Sequence, residues 1–200
     1  MINADFENKG YIIVKNAVDQ SLQDFITQYA LFDEMQKGMH GDGQVSNAFY
    51  KYADPAMETL LLTLLPSMEA NTGLELEPTY SYFRVYRPGN DLKIHTDRPA
   101  CEISATLCFN YEYHDENFHW PIYMKGTEII QYPGDMAIYK GCDVEHYRHL
   151  FYSQRDDAWH VQGFFHYVDK NGPYADWKFD RRDTIGSLKE KQKNYIIQVN

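Results

Sequence analysis

Cysteine is scarce in this 200-residue chain. Cys101, Cys108 and Cys142 make an odd count with no paired spacing, which excludes a disulfide scaffold and suits reduced thiols in a cytosol. No apolar run approaches the roughly eighteen residues of a membrane span. Residues 1–7 carry no basic stretch followed by an apolar one, so no secretory signal is read and a cytoplasmic location is expected. Positive charge is also short. Nineteen Lys and Arg face 29 Asp and Glu, for a net charge of −10. That balance repels phosphate backbones and disfavours a nucleic-acid partner unless a local basic patch offsets it. Internal repeats and low-complexity segments are missing too.

What is present argues for a folded globule. Hydrophobic residues make up 44% of the chain and aromatics 16%, and 200 residues fit one domain with a sizeable core. Residues 1–73 read as mostly helical. After a short strand at 11–14, Asp19 is a candidate N-cap. Leu22, Phe25, Ile26, Tyr29 and Phe32 then recur at helical spacing, as a buried stripe would. A Gly-rich loop, Gly38-Met39-His40-Gly41-Asp42-Gly43, precedes a second helix opened by Asp54-Pro55 and closed by Gly73. Its apolar side is Met57, Leu60, Leu61, Leu64, Leu65 and Met68, with a kink expected at Pro66. Both stripes are expected to pack on a sheet.

Residues 74–169 read as strands at 79–86, 103–110, 121–124, 128–131, 136–140 and 159–168, punctuated by Pro-Gly and Lys-Gly turns. Many short strands without intervening helices predict a jelly roll: a mainly β fold with flanking helices packed on one sheet. Along 102–110, Ile103, Ala105, Leu107 and Phe109 alternate with Ser104, Thr106, Cys108 and Asn110. One face is therefore dry and the other lines something polar. Residues 170–200 form a polar C-terminal arm, with a short helix expected at 188–195.

A mononuclear Fe(II) that binds a cosubstrate and O2 needs open coordination positions, so the protein supplies three ligands on one face, two imidazoles and a carboxylate. His-x-Asp at a strand end sets the first pair on one side, because side chains alternate with period two. His95-Thr96-Asp97 stands in such a place, after the strand at 79–86 and before the alternating one. Chance supplies about one His-x-Asp in a chain of this make-up. A second copy, His40-Gly41-Asp42, lies in the Gly-rich loop with no strand to aim it, and is read as loop.

The run Tyr82-Phe83-Arg84-Val85-Tyr86-Arg87-Pro88-Gly89, followed by His95-Thr96-Asp97, resembles the 2-oxoglutarate/Fe(II) dioxygenase superfamily, on its prolyl-hydroxylase-like side. Pro133-Gly134-Asp135-Met136-Ala137-Ile138-Tyr139 is similar to the family's Gly-Asp-aliphatic strand, which leads to the distal histidine. The resemblance covers about 74–169 and implies a double-stranded β-helix core. It implies Fe(II) held by His95, Asp97 and His146, with His149 the competitor for the distal position. It implies that Tyr86 hydrogen-bonds the far carboxylate of 2-oxoglutarate and that Arg155 pairs with it, a planar fork matching a carboxylate. The stretch around Arg155 reads as loop, so His160 is an alternative anchor, with Arg148 and Arg98 further off.

Halogenating members replace the carboxylate ligand with a small residue. Asp97 is present, so the resemblance implies a hydroxylase that uses O2 and splits 2-oxoglutarate into succinate and CO2. Free amino acids, prolyl peptides and other small molecules all remain open as substrates, with Arg98, Tyr80, Tyr82, Trp120 and Trp177 as candidate contacts. Other classes are a non-catalytic jelly-roll binding module and a nucleic-acid demethylase of the same superfamily. A cupin-type enzyme would carry His-x-His, and a zinc hydrolase His-Glu-x-x-His or a cysteine pair; the chain has none of these.

Overall fold

The computed structural model describes residues 3–187; the helix expected at 188–195 lies outside them. The element order is α1 (Ala4–Lys9), β1 (Tyr11–Val14), α2 (Gln20–Lys37), β2 (Phe49–Tyr52), α3 (Pro55–Thr72), β3 (Leu76–Tyr86), β4 (Leu92–His95), β5 (Ile103–Glu112), β6 (Ile122–Met124), β7 (Thr127–Ile129), β8 (Met136–Lys140), β9 (His146–Arg148) and β10 (Trp159–Asp169). The strands form a six-stranded sheet, β1-β8-β5-β10-β3-β2, and a four-stranded sheet, β4-β9-β6-β7. All pairs are antiparallel. This is the expected jelly roll. The short pieces α1, β2, β4 and β9 were not anticipated, being too short to show a period.

The period of two decides which face of the large sheet does what. Phe83 and Val85 of β3, Ile103, Ala105, Leu107 and Phe109 of β5, Met136 and Ile138 of β8, and Val161, Phe165 and Tyr167 of β10 point to the helices. They pack there against Ile26 and Ala30 of α2 and Met57, Leu61, Leu64 and Met68 of α3. Full burial of each large side chain contributes roughly 1.5–3 kcal/mol. The alternate residues point into the barrel and are polar or aromatic: Tyr80, Tyr82, Arg84 and Tyr86, then Ser104, Thr106 and Cys108, then His160, Gln162 and His166. That inner face is where chemistry can sit.

The helix ends follow the sequence signals. The Asp19 side chain accepts from Leu22 N, Asp54 caps α3 with Pro55 at its first position, and Gly73 ends α3 at φ 75°. Helix α3 runs through Pro66 to Thr72. The stripe expected on α2 needs correction, because Phe25 and Phe32 are 62% and 58% exposed. The inward face carries Gln23, Ile26, Thr27, Ala30 and Glu34 instead. Two of these polar residues have specific partners: Gln23 donates to the Val18 carbonyl at 2.9 Å, and Glu34 accepts from Arg87 Nε at 3.0 Å. A polar side chain with such a partner can hold an inward position that apolar counting gives to a phenylalanine, although the buried Gln23 Oε1 has no partner among the described residues.

The segment after β10 returns to the sheet. Arg182, nearly buried, holds Glu58 of α3 through two bonds of 3.0 Å and donates to the Thr79 carbonyl at 2.9 Å. Nearby, Phe179, Asp180 and Arg181 all take positive φ values, 55°, 54° and 59°. Such a run of non-glycine residues stores strain. It sets the Asp180 carboxylate against Arg98 at 2.7 and 3.0 Å and against the Tyr52 hydroxyl at 2.6 Å.

Candidate metal centre and active site

β4 and β9 are neighbours in the small sheet, and their register sets His95 directly opposite His146. The two rings approach to 4.3 Å between centroids. Asp97 follows two residues after His95, with its backbone N–H on the Gly141 carbonyl at 2.8 Å. Its Oδ1 lies 3.7 Å from Nε2 of both His95 and His146. The three ligand atoms fall within 4.8 Å of one another.

The outer nitrogens fix the tautomers. His95 Nδ1 lies 2.7 Å from the Lys93 carbonyl and His146 Nδ1 lies 2.9 Å from the Val144 carbonyl. Each Nδ1 therefore carries the proton and donates it, leaving the Nε2 lone pair aimed at the shared point, as ligating histidines require. Burial lowers the pKa of both rings and so favours the neutral, ligating form. Burial also pushes the Asp97 carboxyl up to about 6, against the opposing pull of His95. The donor set thus fits a divalent cation that prefers imidazole and carboxylate.

Gly141 is required beside it. A Cβ there would stand 2.1 Å from the Cys101 carbonyl oxygen and 2.7 Å from Asp97 Oδ2. A second group, Asp97, Cys101 and His166, shares the carboxylate. It is the poorer ligand set, because burial raises the Cys101 thiol well above its ordinary value and a ligand must be the thiolate.

The triad opens on a cavity of about 360 Å³, lined among others by Tyr80, Tyr82, Arg84, Arg98, Tyr139 and Phe164. No protein-family model matches the sequence, and no curated protein does. Solved structures do match. A Pseudomonas putida prolyl-4-hydroxylase superposes with a TM-score of 0.63 at 16% identity, covering 81% of this chain and 95% of that one. The non-heme alpha-ketoglutarate-dependent epimerase SnoN from nogalamycin biosynthesis gives 0.62 at 11% identity, over 93% and 91% of the two chains. HygX from Streptomyces hygroscopicus, with nickel and 2-oxoglutarate bound, gives 0.60 at 10%, over 83% and 85%. The fold is that of the 2-oxoglutarate-dependent oxygenases.

Within this oxygenase fold the other residues singled out from sequence separate clearly. His149 is exposed, set edge-on to the Tyr123 ring at 4.8 Å between centroids, and is not grouped with the triad. Tyr86 is fully buried and its hydroxyl accepts from Arg84 at 3.2 Å. Arg155 is exposed, paired with Asp157 at 2.7 Å, and lines a separate surface depression, so the structure does not bring it to the cavity. His160 is buried between the Tyr113 hydroxyl, 2.7 Å from Nδ1, and Gln162 Oε1, 2.5 Å from Nε2. Burial first, and the Arg148 charge second, hold its pKa well below the ordinary value, so it is a neutral ring. Arg98, Tyr80 and Tyr82 line the cavity, whereas Trp120 lies deeper, donating to the His149 carbonyl at 2.8 Å. Trp177 packs against the cluster of Tyr80, Ala100 and Cys101.

Sequence reasoning passed over Asp42 and Arg84. The Asp42 carboxylate lines the cavity, takes a bond from Arg84 Nε at 3.0 Å, and also pairs with Arg84 Nη2 and the Tyr82 hydroxyl. Its other oxygen accepts the Gln44 and Val45 N–H groups at 2.8 Å. The Gly-rich loop is thereby fastened to the barrel wall. One signal for Arg84 was available: it is a charge in the middle of an aromatic strand, in phase with Tyr80, Tyr82 and Tyr86.

Proposed function

We propose that the chain is an Fe(II)- and 2-oxoglutarate-dependent oxygenase that hydroxylates an unactivated C–H bond of a free amino acid, a prolyl peptide or another small molecule. The observation that carries the reading is the convergence of two tautomer-fixed imidazoles and one carboxylate on a single point inside a cavity. Three facial ligands leave positions for a bidentate 2-oxo acid and for O2. Bound there, the metal and cosubstrate supply oxidising power by coupling O2 reduction to decarboxylation of 2-oxoglutarate to succinate. His95, His146 and Asp97 hold the ion, and the presence of Asp97 favours hydroxylation over halide transfer. Tyr80, Tyr82, Tyr139 and Phe164 orient a substrate against the centre and limit water.

Charge around the cavity supports a small, uncharged or weakly charged substrate over nucleic acid. Arg84 is neutralised by Asp42 and Arg98 by Asp180, leaving no excess of cations for phosphates. No helix among the described residues is long and apolar enough to cross a membrane. The test is anaerobic loading with Fe(II) followed by 2-oxoglutarate. A weak visible charge-transfer band is expected, then succinate formation stimulated by one member of a panel of amino acids and prolyl peptides. Protein that takes up Fe(II) but gives neither band nor succinate would sink the reading.

A further inference from the structure

Helix α2 is apolar on the side that it turns to solvent. Its buried side is Gln23, Ile26, Thr27, Ala30 and Glu34. On the opposite side Ser21, Phe25, Gln28, Phe32 and Met35 follow at steps of four and three, which sets them on one line along the axis. All five are exposed, Phe25 by 62%, Phe32 by 58% and Met35 by 79%. Met39, 55% exposed, extends the patch past the helix end, where it shares a shallow groove with Met35 and Pro88. Charge avoids this face. The chain is 24% charged, yet none of the five carries a charge, and Asp24 and Lys37, the charged residues among the exposed positions of α2, stand off the line. Aromatic and methionine side chains without charge among them have the composition of an interface core.

An aromatic side chain carries about 150–250 Å². The exposed fractions of Phe25 and Phe32 therefore amount to roughly 250 Å², and Met35 and Met39 bring the patch to roughly 500 Å². That is near the upper end of what a monomer leaves bare. Ser21, Gln28 and Gln36 beside it carry the area toward the roughly 800 Å² per partner of a stable interface. The neighbouring acids offer nothing to a basic partner, because Asp33 is paired with Lys37 and Lys51, and Glu34 with Arg87. What fits is a second neutral, apolar helix side, and the chain itself carries one. The line reads alike from either end. About a two-fold axis between Gln28 and Tyr29, Phe25 falls beside the partner's Phe32, and Leu22 beside the partner's Met35. We propose that the protein binds a second copy of itself through α2, with the two helices antiparallel across that axis. The contact stands apart from the oxygenase reading, since the helices and the triad lie on opposite faces of the large sheet.

The experiment reads the oligomeric state. In sedimentation equilibrium the wild type should pass from monomer to dimer as concentration rises. Phe25→Glu and Phe32→Glu should each weaken association at least about 30-fold, as removal of an aromatic anchor does. Far-ultraviolet circular dichroism should stay unchanged, because both side chains are exposed. Gln28→Cys tests the axis without touching the rings. Made together with Cys142→Ser, it leaves the buried Cys101 and Cys108 as the other thiols, and mild oxidation should give a disulfide-linked dimer. Ser21→Cys in the same background should not cross-link, because its two copies would stand roughly 22 Å apart along the helices. A wild type that stays monomeric at every concentration would overturn the proposal and leave the patch to a different protein. A dimer that survives Phe25→Glu and Phe32→Glu combined would overturn it too, as would Ser21→Cys cross-linking as readily as Gln28→Cys.

Discussion

Replacing Asp42 by alanine removes the carboxylate that fastens the Gly-rich loop to the cavity wall. Arg84 would keep Gln44 Oε1 at 2.8 Å and the Tyr86 hydroxyl at 3.2 Å but lose its counter-ion. Breaking a buried pair from one side costs about 3–5 kcal/mol. The lower end applies here, since the Asp42 side chain is 13% exposed and Arg84 5%. At about 2–4 °C per kcal/mol for a domain of this size, the melting temperature should fall by roughly 6–12 °C. The assay is a double-mutant cycle of Asp42→Ala, Arg84→Met and the pair, followed by thermal and urea unfolding. A coupling energy below about 0.5 kcal/mol would refute the argument. The pH dependence has a definite sign. Burial alone would raise the Asp42 carboxyl, but Arg84 and Tyr82 outweigh it and hold the folded pKa below the ordinary value. The pair's stability is therefore complete above the unfolded pKa of about 4 and lost as pH falls through the folded one. The gap between wild type and Asp42→Ala should be full at pH 7 and shrink below about pH 4.

His146→Ala should abolish the stabilisation by Mn(II), about 2.7 kcal/mol at a hundredfold excess over Kd and read as a rise in melting temperature, while His149→Ala should retain it. The reverse would move the distal ligand by three residues. Gly141→Ala forces a Cβ against the Cys101 carbonyl and the Asp97 carboxylate. It should cost about 1–3 kcal/mol and weaken Mn(II) binding; an unchanged melt would mean the backbone yields freely. Arg155→Ala should leave 2-oxoglutarate affinity within about twofold, because it lies outside the triad cavity and its ion pair among the described residues is an exposed one. A large loss on calorimetry would return it to the site.

His95 and Asp97 stand in phase at a strand end before a strictly alternating strand, but preferring them to His40 and Asp42, and adding His146, rested on the resemblance to the oxygenase superfamily. The jelly roll followed from turn residues between short apolar runs. The resemblance placed Arg155 at the family's interval after the distal histidine, and a fixed interval assumes an unbroken path. Here residues 149–158 leave the sheet before β10 begins at Trp159, so a fixed interval ends on the surface. Asp42 had no local signal at all, since its partner Arg84 is 42 residues away and only the folded barrel brings them together. On α2, the inward face went to Gln23 and Glu34 because each finds a partner elsewhere in the chain, which no hydrophobic pattern records.

The clasp between Glu58 and Arg182 has a consequence for synthesis on the ribosome. The two residues are 124 positions apart, which corresponds to roughly 6–25 s of elongation at 5–20 residues per second. Through that interval Glu58, destined to be 2% exposed, has no cation to meet, and burying it unpaired would be costly. Helix α3 can form early but cannot seat fully on the sheet until Arg182 has emerged. The nascent chain therefore waits with the helix-facing side of its large sheet incompletely covered. The last turn of the described chain acts as the signal that lets the layers close.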